Sequence, residues 1–185
     1  KNRLEHDAGI HITEGQGIYN LTKVIIVTPR YIIKNDMDLP VVIGLNGSSD
    51  SMRIEAKSAS PVYNFPIIGN KQLQVGLREG TENMSALFAV NNVGEIYLRV
   101  RRLDSNAHML LRVVVSTENA SIFINILDAK NLWPYSIRNF SDQEFFVYQA
   151  NPYVDKDGNE ISNQKFQPVF YKIPPKSVMP YAWDF

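Results

Sequence analysis

A chain of 185 residues, 44% hydrophobic and 21% charged, is long enough to bury a core and has the composition of an ordinary soluble domain. Nineteen basic residues balance nineteen acidic ones, so there is no net field to hold nucleic acid or an anionic membrane. The lack of cysteine excludes disulfides, thiolate catalysis and Cys-ligated zinc, and no apolar run reaches the ~18 residues of a membrane span.

Taken in order, the chain reads as strands throughout. Residues 1–20 are polar and glycine-spaced, with a short candidate strand at Ile10-His11-Ile12. Lys23–Val27 is β-branched, is interrupted by Pro29 and resumes at Tyr31–Asn35. Val41–Gly44 runs into the turn cluster Asn46-Gly47-Ser48-Ser49. Met52, Ile54 and Ala56 alternate with polar residues, as do Leu73, Val75 and Leu77, and Met84–Val90 reads as a further strand. Ile96, Leu98 and Val100 give the cleanest two-residue period, followed by strands at Met109–Val115 and Ile122–Leu127. Then come Tyr135–Asn139, Glu144–Tyr148, a hairpin-like Asp157-Gly158, Gln167–Tyr171 and the tail Pro180–Asp184. No helical period of apolar residues persists over a helix-length window. Strands every 8–15 residues or so with turn signals between them predict an all-β, antiparallel β-sandwich fold.

Two segments read Tyr-x-Ile-basic-Asn, each after a proline: Tyr31–Asn35 and Tyr135–Asn139, 104 residues apart (135 minus 31). Alternation puts Tyr31, Ile33 and Asn35 on one strand face, and Tyr135, Ile137 and Asn139 likewise. That face is the core face, so each Asn needs a hydrogen-bond partner, expected in the turn that follows it (Asp36-Met37-Asp38 or Ser141-Asp142). Arg3-Leu4 pairs with Arg102-Leu103, and Pro61-Val62-Tyr63 with Pro168-Val169-Phe170, at nearly the same offset. Tandem repeats of about 100 residues are therefore expected. The division is 1–28, the tail of a preceding β repeat; 29–130, a complete repeat; and 131–185, the first half of another. The chain reads as a piece of something longer. Its last part must pack on the full repeat, pair with another chain or be completed by residues beyond it.

Little in the sequence supports catalysis. His6, His11 and His108 are scattered without metal-ligand spacing and read as surface residues. Gly15-Gln16-Gly17 lacks the context of a nucleotide loop, and Asp155–Glu160 suits a turn better than a calcium loop. Arg99, Arg101, Arg102 and Arg112 read as a solvated strand face, with anionic lipid or phosphate as the sharper alternative. No metal or cofactor is expected. Glycosylation triplets at Asn20, Asn46, Asn83, Asn119 and Asn139 leave an extracellular carbohydrate-binding or adhesive sandwich as a competing reading. Asn139, on a core face, has no room for a glycan.

Aromatic residues crowd the last third. Most must be core, but only one of Phe145 and Phe146 can point inward. Outward rings beside an open strand edge would form a groove for an extended or proline-rich peptide, with Phe146, Tyr148 and Tyr171 as its contacts and Asn139 fixing the strand and turn beneath. The alternative is that a neighbouring repeat covers this surface and the chain is a structural spacer.

Pro29-Arg30-Tyr31-x-Ile33-x-Asn35, Pro134-Tyr135-x-Ile137-x-Asn139 and Pro180-Tyr181-Ala182-Trp183-Asp184 together resemble the adaptor-binding region of the vacuolar protein sorting-associated protein 13 family, also described as a SHORT-ROOT-binding-like domain. The resemblance covers nearly the whole chain. It implies a non-enzymatic module built of six β-rich repeats, each with a hallmark Asn. Asn35 and Asn139 would hold that place in two successive repeats, the fifth and sixth. It further implies docking of Pro-x-Pro peptides from membrane adaptor proteins, which targets a bridge-like lipid carrier to contact sites. The setting implied is cytoplasmic and peripheral, at endosome, vacuole and mitochondrion. Lipid would be handled only by the rest of the full-length protein, and nucleic acid is not a partner. The second repeat departs from the family pattern by stopping at Trp183-Asp184-Phe185.

Overall fold

β-Branched and aromatic residues at alternate positions favour pleated, half-buried backbone over helix, and strands account for nearly all regular structure in the computed structural model. The structure describes residues 4–48, 50–63, 65–66, 71–80, 83–103, 108–130, 132–150 and 168–183, in two units, Lys1–Lys130 and Asn131–Phe185. The first unit holds β1 (Leu4–Glu5), β2 (Ala8–Glu14), β3 (Lys23–Pro29), β4 (Tyr31–Asn35), β5 (Val41–Leu45), β6 (Ser51–Ile54) and β7 (Ser58–Val62). It continues with β8 (Phe65–Pro66), β9 (Gln72–Gly76), β10 (Phe88–Ala89), β11 (Gly94–Arg101), β12 (His108–Glu118) and β13 (Ser121–Asp128). The second unit holds β14 (Tyr135–Asn139), β15 (Phe145–Val147), β16 (Tyr171–Ile173) and β17 (Ser177–Tyr181).

A five-stranded sheet in the order β11-β12-β13-β4-β7 and a four-stranded sheet in the order β10-β9-β5-β6 share one hydrophobic core, which makes the first unit a β-sandwich. Period-2 alternation fills it. Tyr31 and Ile33 of β4, Leu111, Val113 and Val115 of β12, and Ile122, Ile124 and Ile126 of β13 face Val41 and Ile43 of β5 and Leu73 and Val75 of β9. Each such side chain contributes about 1.5–3 kcal/mol when fully buried. Pairings are antiparallel with one exception among the described strands: β4 lies parallel to β13, Tyr31 opposite Ile122 through Asn35 opposite Ile126. This sets the first strand of the sandwich beside its last, inside the sheet.

Two expected strand limits move. The apolar run at 84–90 forms only the two residues of β10, because Met84 bridges to Gly76 and Ser85 ties itself to β9 through Val75. Pro29 ends β3 rather than interrupting it, opposite Ala8, at a strand end where its missing N–H is tolerated. The Asp155–Glu160 turn and Gln167 lie outside the described residues; Tyr171–Ile173 forms β16.

The Asn35 side chain is fully buried at the corner between β4 and β5. Its Oδ1 accepts the Met37 N–H at 3.0 Å, and its Nδ2 donates to the carbonyls of Leu39 (2.8 Å), Ile54 (3.2 Å) and Glu55 (3.0 Å). It is a bracket between the corner and the β6–β7 turn. Asn35→Ala would orphan these groups and cost about 2–4 kcal/mol of stability. Asn35→Asp, which points a carboxylate oxygen at three carbonyls, is expected to cost more than alanine at neutral pH. Urea unfolding midpoints of the two variants check that order.

Candidate functional site

Asn139 repeats this corner in the second unit. Its Oδ1 accepts from the Ser141 N–H at 2.9 Å, and its Nδ2 donates to Gln143 (2.7 Å), Ile173 (3.3 Å) and Pro174 (2.9 Å) carbonyls. The surroundings match as well. Lys57 and Lys176 both have a positive φ, 55° and 50°, and each donates Nζ at 2.6 Å to the carbonyl just after the Asn, of Asp36 and of Phe140. Each also pairs with an aspartate, Lys57 with Asp38 at 3.0 Å and Lys176 with Asp142 at 3.2 Å. Ser58 and Ser177 each donate to a carbonyl three residues back, of Glu55 and Pro174. The strand pairs agree: Asn35 lies opposite Ser58 and Asn139 opposite Ser177, while Val41 lies opposite Ile54 and Phe145 opposite Ile173.

These pairs fix which residues correspond. Pro61 matches Pro180, an offset of 119 (180 minus 61), and not Pro168, the partner the sequence pattern picks. The same pairs match β15 to β5 and β16 to β6. In the first unit the other edge of β5 is filled by β9, with Val42 opposite Gly76 and Ile43 opposite Val75. In the second unit, β15 has no second strand partner among the described residues.

The rings around that edge divide between two faces. Phe145, Val147, Tyr171 and Ile173 share one face of the β15–β16 ladder, and Ile173 is buried there. Phe146 lies on the other, opposite Lys172. Tyr148 and Phe170 extend the register by one pair, with ring centroids 5.1 Å apart. Phe146, Tyr148 and Phe170 are all well exposed, at 62%, 57% and 60%. On the first face, Tyr171 meets Tyr181 edge-on at 5.9 Å, Tyr181 meets Trp183 at 5.9 Å, and Trp183 meets Tyr135 at 5.8 Å. These contacts give the rings fixed positions.

Comparison with known proteins settles the family. The sequence matches, over residues 1–185, the family described as vacuolar-sorting associated protein 13, adaptor binding domain. The chain belongs to this family. It is also similar to the intermembrane lipid transfer protein VPS13 of Chaetomium thermophilum, 34% identical over 177 residues, which is 96% of this chain and 5% of that protein. The chain thus spans about a twentieth of the length of that relative. The matched family is described as an adaptor-binding domain, and among the described residues no three His, Asp or Glu side chains gather as a metal site.

The other expected features fall as follows. Phe146 and Tyr148 come together on the outer side of the ladder, while Tyr171 lies on the opposite face. Tyr135, expected inward like Tyr31, is half exposed. Phe170 and Trp183 complete the two ring clusters; only the ladder register, which a sequence does not display, shows their places. Of the arginine stripe, Arg99 is buried, and Arg112 makes a two-pronged ion pair with Glu95, its Nε 3.0 Å from Oε2. Hydrogen bonding from Arg112 lowers the Glu95 pKa. Asn139 is buried with its amide engaged, which leaves it closed to glycosylation.

The corner lysines give a test. Lys176→Ala removes the Nζ bonds and leaves a Cβ in the left-handed region. Lys176→Gly removes the same bonds but relieves about 1 kcal/mol of backbone strain. The glycine variant should therefore be the more stable of the two in urea unfolding followed by the fluorescence of Trp133 and Trp183.

Proposed function

We propose that this chain docks adaptor proteins by taking a short extended Pro-x-Pro peptide along the edge of β15, in the place that β9 occupies beside β5. The exposed rings of Phe146 and Tyr148 along β15, on a frame held by the buried Asn139 amide, carry this reading.

Strand chemistry supports the peptide class. In an extended chain the two prolines of Pro-x-Pro share one face and one lateral side. Both lack an N–H, so a strand with prolines at alternate positions can add to an edge only if they turn their nitrogens away from the ladder, leaving the middle residue to bond. Residues two apart in a strand are about 6.8 Å from each other. Phe146 and Tyr148 have that spacing, so each proline would lie on one ring, and the middle side chain would fall on the opposite face, toward Tyr171. Asn139 holds the turn into β15 and the end of β16, and so keeps the edge in register.

In the wider protein, we read the matching corners as two copies of one repeat, with boundaries near 29 and 131. The β2–β3 hairpin would then be the end of an earlier copy: its face of Ile10, Ile12, Ile25 and Val27 parallels Val113, Val115, Ile124 and Ile126 of β12–β13. Adaptor capture would place a lipid-carrying protein at organelle contact sites from the cytoplasmic side, with lipid handled outside this module.

Fluorescence anisotropy with a labelled Pro-x-Pro peptide tests the proposal. Saturable binding is expected, abolished when both prolines become alanine. Phe146→Ala and Tyr148→Ala should each weaken it about tenfold or more, with a smaller loss for Tyr171→Ala. No saturable binding to the folded chain, or unchanged affinity in the Phe146 and Tyr148 variants, would overturn it.

A further inference from the structure

β3 ends at Pro29 and β4 begins at Tyr31, so Arg30 alone carries the chain from the β2–β3 hairpin into the sandwich. Such a link leaves the hairpin free to swing unless other contacts stop it. The structure supplies them on two sides. On the first, the turn between β12 and β13 seats on the hairpin base. Gly9 faces Ala120 so closely that a Cβ there would lie 2.3 Å from the Ala120 oxygen. The Arg30 guanidinium donates to that same oxygen at 2.8 Å. The Ser121 hydroxyl donates to the Pro29 carbonyl at 2.8 Å and so accepts from the Thr28 hydroxyl, 3.0 Å away. The Ile122 N–H donates to the Arg30 carbonyl at 2.7 Å, where the parallel ladder of β4 on β13 begins. On the second side stands Asp7. Its carbonyl accepts the Arg30 N–H at 3.3 Å, and its carboxylate pairs with Lys71, the residue before β9. The Lys71 ammonium is also 5.3 Å and 5.8 Å from the ring centres of Tyr31 and Phe65, which meet edge-on at 4.9 Å. Side-chain exposures of 19% for Lys71 and 30% for Asp7 keep water largely away from the pair. Just before Asp7, β1 adds to β8, with Glu5 opposite Phe65.

We propose that these contacts lock the joint between this repeat and the one before it: the closing turn of the repeat, Asn119–Ala120, seats on the base of the hairpin that ends the earlier copy, and the two move as one body. The joint rests on the repeat boundary proposed near residue 29 and not on the peptide site. The chemistry favours a lock over a hinge. A hinge needs backbone that turns at low cost, with few bonds to give up. Here a swing about Arg30 orphans the carbonyls of Ala120, Pro29 and Asp7 and parts a largely buried ion pair, which is costly when one charge is left alone. A swing the other way is blocked, because Gly9 and Ala120 already touch. The fit is also selective. Asn119 at φ 51° and Ala120 present a backbone carbonyl, and only a glycine at position 9 leaves room for it. The surface this turn accepts is thus the base of a hairpin with glycine on its first strand and arginine after its second.

The chain has no cysteine, so nitroxide labels can be placed at Gln16→Cys in the hairpin turn and Ser51→Cys on β6 without removing others. Double electron–electron resonance then reads the distance between them. The parent should give one narrow distance. Arg30→Ala and Gly9→Val should each broaden the distribution about twofold or more, or add a second distance. Lys23→Ala breaks the ion pair with Glu14 at the far end of the hairpin ladder and should leave the distance narrow. Circular dichroism shows that each variant is folded, and Asp7→Asn, expected to broaden the distance likewise, stands in for Gly9→Val should that variant not fold. A broad distance in the parent, joint variants as narrow as the parent, or equal broadening in Lys23→Ala would overturn the proposal.

Discussion

A carboxamide buried away from water must find its partners in the protein, and in this molecule that requirement ties distant parts of the chain together twice. The Asn35 Nδ2 has two hydrogens and three carbonyls within 3.2 Å, from Leu39, Ile54 and Glu55. One hydrogen is therefore shared, as is common where backbone carbonyls converge. No aliphatic side chain of that size could satisfy the same groups, and an aspartate would repel them. The corner fixes where β4 ends, how β5 departs and where the β6–β7 turn returns. Asn139 does the same for β14, β15 and the β16–β17 turn. Strand register, and with it the face on which each ring emerges, follows from these brackets.

Among the described residues, the two units differ in what surrounds the same frame. Around Asn35, β9 fills the far edge of β5, and five strands of the facing sheet close the core. The Asn139 frame has larger rings at the matching places: Phe145 and Phe146 stand where Val41 and Val42 stand. Val42 is buried, whereas Phe146 is exposed. An edge with exposed rings at alternate positions suits chain addition, which is why the proposed occupant is a peptide with prolines at alternate positions. On the proposed reading, adaptor docking is tied to this strand edge.

Much of this was legible beforehand. Alternation placed Tyr31, Ile33 and Asn35 on the core face, and the need to satisfy a buried amide led correctly to the turn after each Asn. The carbonyls of Ile54, Glu55, Ile173 and Pro174 were hidden because they come from a strand that sequence distance does not link to the corner. The parallel pairing of β4 with β13 was hidden for the same reason, since local patterns carry no information on which strands become neighbours. The proline pairing went astray because the second unit spends fifteen more residues (119 minus 104) between its matching strands. Tyr135 obeys the same alternation as Tyr31 and yet is half exposed, because burial depends on what packs over a face. The placement of Phe146 and Tyr171 on opposite faces follows from a register that only the paired ladder reveals.

The most direct measurement is a ¹H–¹⁵N correlation titration of the isotope-labelled chain with a Pro-x-Pro peptide, reading every backbone amide at once. If the edge of β15 is the docking strand, amide shifts concentrate at Phe145–Tyr148 and spread to Phe170–Lys172 across the ladder. Amides in the core strands of the first unit, such as Val75, Val113 and Ile124, stay in place. Shifts that cluster in the first unit, with β15 and β16 unmoved, would contradict the account.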